Sequence, residues 1–408
     1  MKLENNVHIE NAWAIYETEF VPEQVVTTGS NYMIGNGYLG YRGTFADDGR
    51  DQYVACVVSD TYDNADGVWK ELVTAPNGLF TELAVNGTSL PWREAGSTGY
   101  RRSLDVRYGR WQAEVEWKRY GVTVREERFA GYDDLHRLAS RMDITAQRPL
   151  RLSVRTGIDG DIWSLNGDHF SSYTSGEDEE ELEIACVTGE HGYDVVVREI
   201  SRLTFSDGMN VASRLTERET RKIIRTFDLD LEAGQTVTLT KYAAVWTTND
   251  LRTSANPHTQ ISVPATVPGA GYLGIAPGER SLEASSVADP ERPPLAAVQA
   301  AASRTLTTAL ERGWDELWQA HCAEWDQRWQ DMDVEITGDA QRYGMLLQTY
   351  LDASSLSFID VSIDASATYG LAMWDVAGGE IDLGNTTFSN SHDYDLVASL
   401  ANIDATGA

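Results

Sequence analysis

Short apolar runs broken by turn residues dominate the sequence from about residue 12 to residue 250. Within the runs, apolar and polar residues alternate one by one, as in Trp111-Gln-Ala-Glu-Val-Glu-Trp117 and Thr236-Val-Thr-Leu-Thr240. Gly, Asn and Asp interrupt the runs roughly every ten residues, which is the turn spacing of hairpin-connected strands. Alternation with a period of two places one face of each strand on a core, whereas a helix needs a period of about 3.6. The pattern therefore predicts a large antiparallel β-sandwich.

The pattern changes after residue 250. Residues 250–295 are rich in Pro, Gly, Ser and Ala, which indicates a long connection. From Leu295 to Gln330 the sequence is rich in Ala, Leu, Glu and Gln, and its one glycine is Gly313. Large aromatic residues recur there on one face of the expected helix, namely Trp314, Trp318, His321, Trp325 and Trp329. We predict that this tryptophan-lined face, the Trp seam, packs against the sandwich and that His321 is a hydrogen-bonded core residue.

A second helix is predicted after Asp339, which is a suitable N-cap for the apolar-rich run Arg342–Leu351. Beyond about Ala353 the apolar residues keep no sustained period, and Ser, Asp, Ala, Thr and Gly dominate.

The charge balance excludes several kinds of partner. The 408 residues include 63 acids and 33 bases, for a net charge of −30, so the chain repels nucleic acid phosphates and anionic membranes. The N-terminal 13 residues hold no apolar core typical of a signal peptide, and no run of about 18 apolar residues predicts a membrane span. The three cysteines are far apart and lack metal-site spacing. We expect a cytoplasmic protein with reduced thiols and no nucleic acid or membrane partner.

The stretch GNGYLG, Gly35 to Gly40, matches the dinucleotide-binding pattern G-x-G-x-x-G. That function needs a strand before the glycines, a helix after them and an acid about twenty residues further on. Here the following residues are Tyr-Arg-Gly-Thr-Phe, and Gly43 breaks any helix. We therefore predict that the glycines serve tight turns and close backbone approach beside bulky aromatic residues.

Other catalytic and metal-binding signals are weak. The sequence contains no G-x-S-x-G, H-E-x-x-H or P-loop motif. Asp159, Asp161, Asp168 and His169 suggest a cation site, but they lack the full EF-hand register, and we expect no metal. Paired carboxylates for glycoside chemistry cannot be selected among 63 acids from the sequence.

Several segments together resemble glycoside hydrolase family 65, which includes maltose, trehalose, kojibiose and nigerose phosphorylases. They occur in family order over roughly residues 10–345. These segments are Trp13-Ala-Ile-Tyr-Glu17, Gly35–Thr44, Glu71–Gly78, Leu104–Gly109, Ser153–Gly160, Asn166-Gly-Asp-His169, Lys241-Tyr-Ala-Ala-Val245, His321–Trp329 and Asp333–Asp339.

The resemblance implies a mainly β protein with a large antiparallel β-supersandwich, a linker helix and an incomplete start of an (α/α)6 barrel. The implied domains are the sandwich at 1–265, the linker with its Trp-rich helix at 266–337 and a truncated or divergent start of the helical catalytic domain at 338–408. Family members cleave α-linked glucose disaccharides with inorganic phosphate as co-substrate, inverting the anomeric carbon to give β-glucose 1-phosphate. No other cofactor is expected, and homodimers are expected by analogy.

The tail departs from the family pattern. The general-acid Glu and the phosphate-binding residues of the family lie deep in the barrel, so no catalytic residue is expected within this chain. A Trp-Asp pair that holds the glucose ring in the family is matched here by Trp374 and Asp375, which we carry over as substrate-binding candidates. Glu380 is not proposed as the acid. Alternative hypotheses are a non-catalytic carbohydrate-binding or dimerisation module and a trehalase-like α-glucoside hydrolase of the same family.

Overall fold

A computed structural model describes most of the first 251 residues and one long helix. The described residues are 7–11, 13–65, 70–90, 92, 99–178, 180–213, 215–251 and 292–331, together with seven short strands between 356 and 404. The predicted connection at 250–295 and the predicted helix at Arg342–Leu351 fall outside these residues, apart from their edges. The predicted domain boundaries at 265 and 337 also lie outside them and stay predictions.

Helices are few and strands are many in the described residues. The helices are α1 (Val25–Asn31) and α2 (Leu295–Asp331), with 3-10 turns at Pro22–Gln24, Arg50–Gln52 and Asn249–Leu251. The strands before α2 are β1 (His8–Asn11), β2 (Ala14–Glu17), β3 (Ile34–Gly35), β4 (Leu39–Tyr41), β5 (Cys56–Asp63), β6 (Glu71–Ala75), β7 (Thr81–Val85), β8 (Thr88–Ser89), β9 (Arg101–Asp105), β10 (Arg110–Trp117), β11 (Val122–Ala130), β12 (Arg137–Ala146), β13 (Leu150–Asp159), β14 (Phe170–Asp178), β15 (Glu181–Thr188), β16 (Asp194–Phe205), β17 (Leu215–Arg218), β18 (Lys222–Leu231) and β19 (Thr236–Thr247). The strands after α2 are β20 (Leu356–Ser357), β21 (Ser362–Asp364), β22 (Tyr369–Met373), β23 (Glu380–Asp382), β24 (Thr387–Ser389), β25 (Tyr394–Ala398) and β26 (Asn402–Asp404).

Three antiparallel sheets are built from the first nineteen strands. The large sheet has ten strands in the order β1-β2-β9-β10-β11-β12-β19-β16-β15-β14. A five-stranded sheet has the order β17-β18-β13-β7-β8, and a four-stranded sheet has the order β3-β4-β5-β6. The sequence prediction of a mainly β, antiparallel sandwich is confirmed.

The burial pattern of the strands follows their residue alternation. In β10, every second residue from Trp111 to Trp117 is buried, so one face of this strand lies on the core. In contrast, Val195, Val196 and Val197 of β16 are all fully buried. A continuous apolar run of this kind indicates a strand that is covered on both faces. The central strands of the large sheet therefore lie between two apolar layers.

The first apolar layer is the core between the sheets, which contains most of the buried aromatic side chains of the described residues. Trp92 is fully buried there, stacked on Phe45 with ring centroids 5.6 Å apart and edge-on to Trp117 at 5.4 Å. Cys56 and Cys186 also lie in this core as free thiols, and burial raises the pKa of Cys56 to about 12. These two cysteines are therefore small apolar core residues rather than reactive groups.

The second apolar layer is formed by helix α2 on the outer face of the large sheet. Small and aliphatic residues of its first half, Val298, Ala302 and Leu306, pack with Val196 and Ala244 of the sheet. The helical dihedral angles are interrupted at Gly313, which has φ 73° and ψ 170°. A positive φ suits glycine, so this single residue lets the helix axis change before the Trp seam begins.

The seven strands after α2 form four parallel pairs, each between two strands three places apart in chain order: β20 with β23, β21 with β24, β22 with β25 and β23 with β26. The residues described in the interval 338–408 are thus strands, and the helical start of an (α/α)6 barrel is not found among them.

Candidate functional site

The glycine-rich stretch forms a β-hairpin rather than a nucleotide site. Strands β3 and β4 pair antiparallel, and Gly37 at the turn has φ 89°. The side-chain oxygen of Asn36 accepts hydrogen bonds from the backbone of Tyr38 (3.0 Å) and Leu39 (2.8 Å), which fixes the turn. A Cβ at Gly43 would overlap Tyr32. The sequence prediction of tight turns and close approach is confirmed at these positions.

The carboxylates of the suspected cation site are paired with arginines. Arg50 lies 3.5 Å from Asp161 and 3.4 Å from Asp168, and Arg221 donates a hydrogen bond of 2.9 Å to Asp168. This hydrogen bond lowers the pKa of Asp168. Across the part of the chain that the structure describes, no group of three His, Cys, Asp or Glu side chains is arranged to hold a metal ion.

The segment Asn166–His169 meets the segment that begins at Glu71. One oxygen of Glu71 accepts hydrogen bonds from the backbone of Asn166 (2.8 Å) and lies 2.7 Å from Nε2 of His169. The side chain of His169 is fully buried and that of Glu71 is 16% exposed. These two segments, which carry part of the family resemblance, therefore hold the loop end of the sandwich together.

The segment that begins at Lys241 ties the two layers of the sandwich. The buried ammonium of Lys241 donates to the carbonyls of Phe80 (2.8 Å) and Gly157 (2.7 Å) and to the hydroxyl of Thr156 (2.9 Å). Burial lowers its pKa to about 8, and the carboxylate of Glu199 lies 3.8 Å away. Sequence reasoning missed this role, although a lone Lys inside an apolar strand was the available signal.

A docking loop, Leu104–Gly109, receives the Trp seam of α2. The indole of Trp329 donates a hydrogen bond of 2.7 Å to the carbonyl of Arg107. Gly109 has φ 57°, and a Cβ there would lie 3.5 Å from the ring of Trp325. That distance is an ordinary van der Waals contact, so the positive φ, and not a lack of space, is what favours glycine at this position of the loop. This gives a physical role to a segment that was noticed only for its family resemblance.

His321 is the hydrogen-bonded core residue that the sequence predicted. It is 1% exposed, and its Nε2 donates to the carbonyl of Tyr108 at 2.6 Å. Its Nδ1 accepts from the backbone N–H of Tyr132 at 3.2 Å, and its ring lies 4.7 Å from that of Phe129. One nitrogen donates and the other accepts, so the neutral imidazole satisfies both backbone groups.

Burial lowers the pKa of His321 to about 4. The hydrogen bond to the carbonyl of Tyr108 and the charge of Asp133 raise this pKa, but by less than burial lowers it, and the charge of Arg137 lowers it further. A second proton on the ring would place an N–H against the N–H of Tyr132. His321 is therefore a joint between the helix and the sandwich, with no geometry for binding a ligand.

Ion pairs surround this joint. Arg312 of α2 contacts Asp133 at 2.6 Å, and Asp326 of α2 contacts Arg107 of the docking loop at 2.9 Å. The side chains of Arg107 and Asp326 are about two-fifths exposed, so their pair contributes little to stability. The aromatic packing and the buried hydrogen bonds hold the helix in place.

The sugar-binding candidates Trp374 and Asp375 lie outside the described residues, so their role stays a prediction. In the sandwich and α2, the segments that carry the family resemblance meet where α2 packs on the docking loop. This interface between the helix and the sandwich is the candidate functional feature. A large antiparallel sandwich that carries a long helix across one sheet is the class of structure defined by these elements.

Comparison with known proteins identifies the family. The family model for the glycosyl hydrolase family 65 N-terminal domain matches residues 15–272, which is more than half of the chain. The chain belongs to glycosyl hydrolase family 65. The resemblance drawn from the sequence motifs is confirmed.

Similar proteins of known activity are phosphorylases. Over 247 residues the chain is 36% identical to 1,2-alpha-glucosylglycerol phosphorylase of Bacillus selenitireducens, covering 59% of this chain and 31% of that protein. Over 160 residues it is 29% identical to nigerose phosphorylase of Lachnoclostridium phytofermentans, covering 39% of this chain and 21% of that protein. The chain thus spans about a third or less of the length of these two relatives.

A solved structure supports the fold. A putative kojibiose phosphorylase from the human microbiome aligns with 82% of this chain over 40% of its own chain, with a TM-score of 0.61 at 13% sequence identity.

Neither helix of the described residues has the length and hydropathy of a membrane-spanning segment.

Proposed function

We propose that residues 7–331 form the scaffold of an inverting α-glucoside phosphorylase, which cleaves an α-linked glucose disaccharide with phosphate to give β-glucose 1-phosphate. The family match and the 36% identity to a glucosylglycerol phosphorylase support this proposal. The observation that carries it is the docking of the Trp seam on the loop Leu104–Gly109, because the motifs shared with the family meet at this interface and within the sandwich.

In the proposed reaction the sandwich and α2 support a reactive site that is formed by other residues. A general acid protonates the leaving oxygen, and phosphate attacks the anomeric carbon from the opposite face. Phosphate is ionised at neutral pH and needs no general base, but it needs local cationic or N–H groups in a protein of net charge −30. The arginines of the loop end are engaged with Asp161 and Asp168. On the family resemblance, we assign the acid and the phosphate ligands to residues outside the sandwich and α2.

The test is a phosphorolysis assay on a protein of residues 7–331. The protein is incubated with phosphate and, in separate reactions, maltose, trehalose, kojibiose, nigerose or 1,2-α-glucosylglycerol, and β-glucose 1-phosphate is measured. The Bacillus selenitireducens enzyme with glucosylglycerol is the positive control. We expect no product from a folded protein of residues 7–331. Turnover by that protein would contradict the assignment of the acid and the phosphate ligands to other residues.

A cytoplasmic location and a homodimer belong to the same proposal. Analytical ultracentrifugation of the whole chain tests the dimer, and a species of single-chain mass at all concentrations would contradict it.

A further inference from the structure

The sequence contains four Asn-Gly pairs, which begin at Asn36, Asn77, Asn86 and Asn166. In such a pair the backbone nitrogen of the glycine can attack the side-chain amide of the asparagine, because glycine has no Cβ to hinder the approach. The attack requires the side chain and the following peptide to turn towards each other, so it is suppressed wherever the fold holds them in place. The structure holds the four pairs to different degrees.

Two of the pairs are buried and hydrogen-bonded. Asn36 is 2% exposed, and its amide nitrogen donates hydrogen bonds to the carbonyls of Gly131 (2.6 Å) and Leu135 (2.9 Å). Asn77 is 1% exposed, and its side-chain oxygen accepts a hydrogen bond of 2.9 Å from the hydroxyl of Tyr41. Both amides must lose these bonds before they turn, which requires local unfolding of the sandwich.

The pair that begins at Asn166 is held less completely. Asn166 is half-buried, and its backbone N–H donates a hydrogen bond of 2.8 Å to Glu71, whose carboxylate also contacts the buried His169. The loop is therefore anchored directly beside the reacting peptide, and we expect this pair to react more slowly than a free turn.

The pair Asn86-Gly87 lies in an exposed turn. Its two residues connect β7 to β8 and have φ values of 50° and 79°. Both of them are exposed, as are both residues of β8, and a Cβ at Gly87 would meet no atom within 4 Å. Strand β8 lies at the edge of the five-stranded sheet, next to β7. A two-residue edge strand with exposed side chains opens at low cost, so this turn changes conformation without unfolding of the core.

A hydrogen bond also favours attack on the amide of Asn86. Its Oδ1 accepts a hydrogen bond of 3.0 Å from the backbone N–H of Arg151, and its own backbone N–H donates one of 2.8 Å to the carbonyl of Arg151. Attack on the amide carbon moves negative charge onto Oδ1. An N–H that is already directed at this oxygen stabilises that charge, as the donors of an oxyanion hole do. The pair therefore combines an open turn with a polarised amide.

We propose that Asn86-Gly87 is a site of spontaneous deamidation. The backbone nitrogen of Gly87 gives up its proton and forms a bond to Cγ of Asn86, and the bond from Cγ to Nδ2 breaks. Nδ2 leaves with that proton as ammonia, and a five-membered succinimide remains. Water then adds to either carbonyl of the ring and opens it, which gives aspartate or isoaspartate at position 86. The only co-reactant is water.

The two products affect the hairpin differently. Each adds one negative charge to the turn. Aspartate keeps an oxygen that accepts from the N–H of Arg151, so the pairing with β13 is retained. Isoaspartate moves one CH₂ group from the side chain into the main chain, which displaces β8 relative to β7. The modification goes beyond the proposed function, because neither a sugar nor phosphate takes part in it.

The test is peptide mapping by mass spectrometry of the whole chain after several days in warm, mildly alkaline buffer. Deamidation adds about one dalton, and chromatography separates the aspartate and isoaspartate peptides. The other three Asn-Gly pairs are internal controls in the same digest. A second sample is incubated unfolded in guanidinium chloride.

A matched pair of variants tests which nitrogen attacks. Gly87→Asn places a side chain beside the attacking nitrogen, and asparagine tolerates the positive φ. Gly208→Asn is the control, because Gly208 has φ 85° and a Cβ there also meets no atom within 4 Å. Thermal denaturation verifies that both variants are folded.

In the folded protein we expect Asn86 to convert at least roughly tenfold faster than Asn36 and Asn77, with both isoaspartate and aspartate formed. In guanidinium chloride all four pairs convert at similar rates, because the fold no longer distinguishes them. Gly87→Asn slows conversion at position 86 roughly tenfold or more, and Gly208→Asn leaves its rate unchanged.

Conversion of Asn36 or Asn77 as fast as that of Asn86 in the folded protein would overturn the proposal. So would a folded protein in which Asn86 stays intact while the unfolded sample converts. These two comparisons need no variant, so they apply even if Gly87→Asn does not fold. An unchanged rate at position 86 in folded Gly87→Asn would contradict attack by the Gly87 nitrogen. None of these results depends on phosphorolysis, so failure here and failure of the proposed function are separate outcomes.

Discussion

Replacing His321 by Gln tests the joint between α2 and the sandwich through its pH dependence. The folded protein keeps the pKa of His321 at about 4, against an ordinary value of 6.5. Between these values the unfolded chain binds a proton that the folded chain does not, so wild-type stability falls as the pH falls. For a single group with this difference, the loss between about pH 7 and pH 5 is ~2 kcal/mol.

The variant His321→Gln removes this titration while keeping a donor for Tyr108 and an acceptor for Tyr132. Loss of the ring contacts with Phe129 makes it less stable than wild type at neutral pH, by about 1–2 kcal/mol. Because the variant lacks the proton-linked loss, we expect the two proteins to have nearly equal stability at about pH 5.

Urea unfolding at three pH values, followed by tryptophan fluorescence, measures the difference. His191→Gln is the control, because the side chain of His191 is 32% exposed and distant in sequence from the joint. Wild type and His321→Gln losing stability in parallel from pH 7 to pH 5, with an unchanged gap, would refute a buried neutral histidine.

Three further substitutions test other parts of the fold by their urea midpoints. Gly43→Ala is expected to lower the free energy of unfolding by roughly 2 kcal/mol or more, because the new Cβ overlaps Tyr32. Gly49→Ala serves as the control, because a Cβ there meets only one atom, at 3.9 Å. Lys241→Met is expected to cost about 3–5 kcal/mol by leaving the carboxylate of Glu199 buried without its cation, and the double variant with Glu199→Gln is expected to recover part of this loss. Trp314→Ala removes an 8%-exposed indole from the interface of helix and sandwich, and we expect a loss of about 3–5 kcal/mol with earlier proteolysis of α2.

Each of these has an outcome that contradicts it. Equal midpoints for Gly43→Ala and Gly49→Ala would show that the hairpin relaxes freely. A double variant no more stable than Lys241→Met alone would remove the electrostatic reason for the loss. Proteolysis of Trp314→Ala at the wild-type rate would show that the Trp seam does not hold the helix.

The fold of the sandwich could be predicted from local patterns of apolar and polar residues in the sequence. Alternation in β10 and the continuous apolar run of β16 differ because one strand has a single covered face and the other has two. The Trp seam and the hydrogen-bonded role of His321 were also predictable, because helical spacing places these residues on one face.

Other features depended on contacts between distant segments, which no local pattern encodes. Lys241 donates hydrogen bonds to Phe80 and Gly157, which lie 161 and 84 positions before it in the sequence. The ion pairs of Asp161 and Asp168 were not predictable for the same reason, since their arginine partners are remote in sequence.

A chimeric enzyme tests the scaffold role most directly. Residues 7–331 of this chain replace the matching part of the Bacillus selenitireducens glucosylglycerol phosphorylase, and phosphate-dependent release of β-glucose 1-phosphate is measured beside the same chimera carrying Trp314→Ala. We expect the first chimera to keep activity within roughly tenfold of the parent enzyme and the second to lose stability and activity together. A first chimera that folds with α2 resistant to proteolysis but yields no glucose 1-phosphate would contradict the assignment of this sandwich and helix as a phosphorylase scaffold.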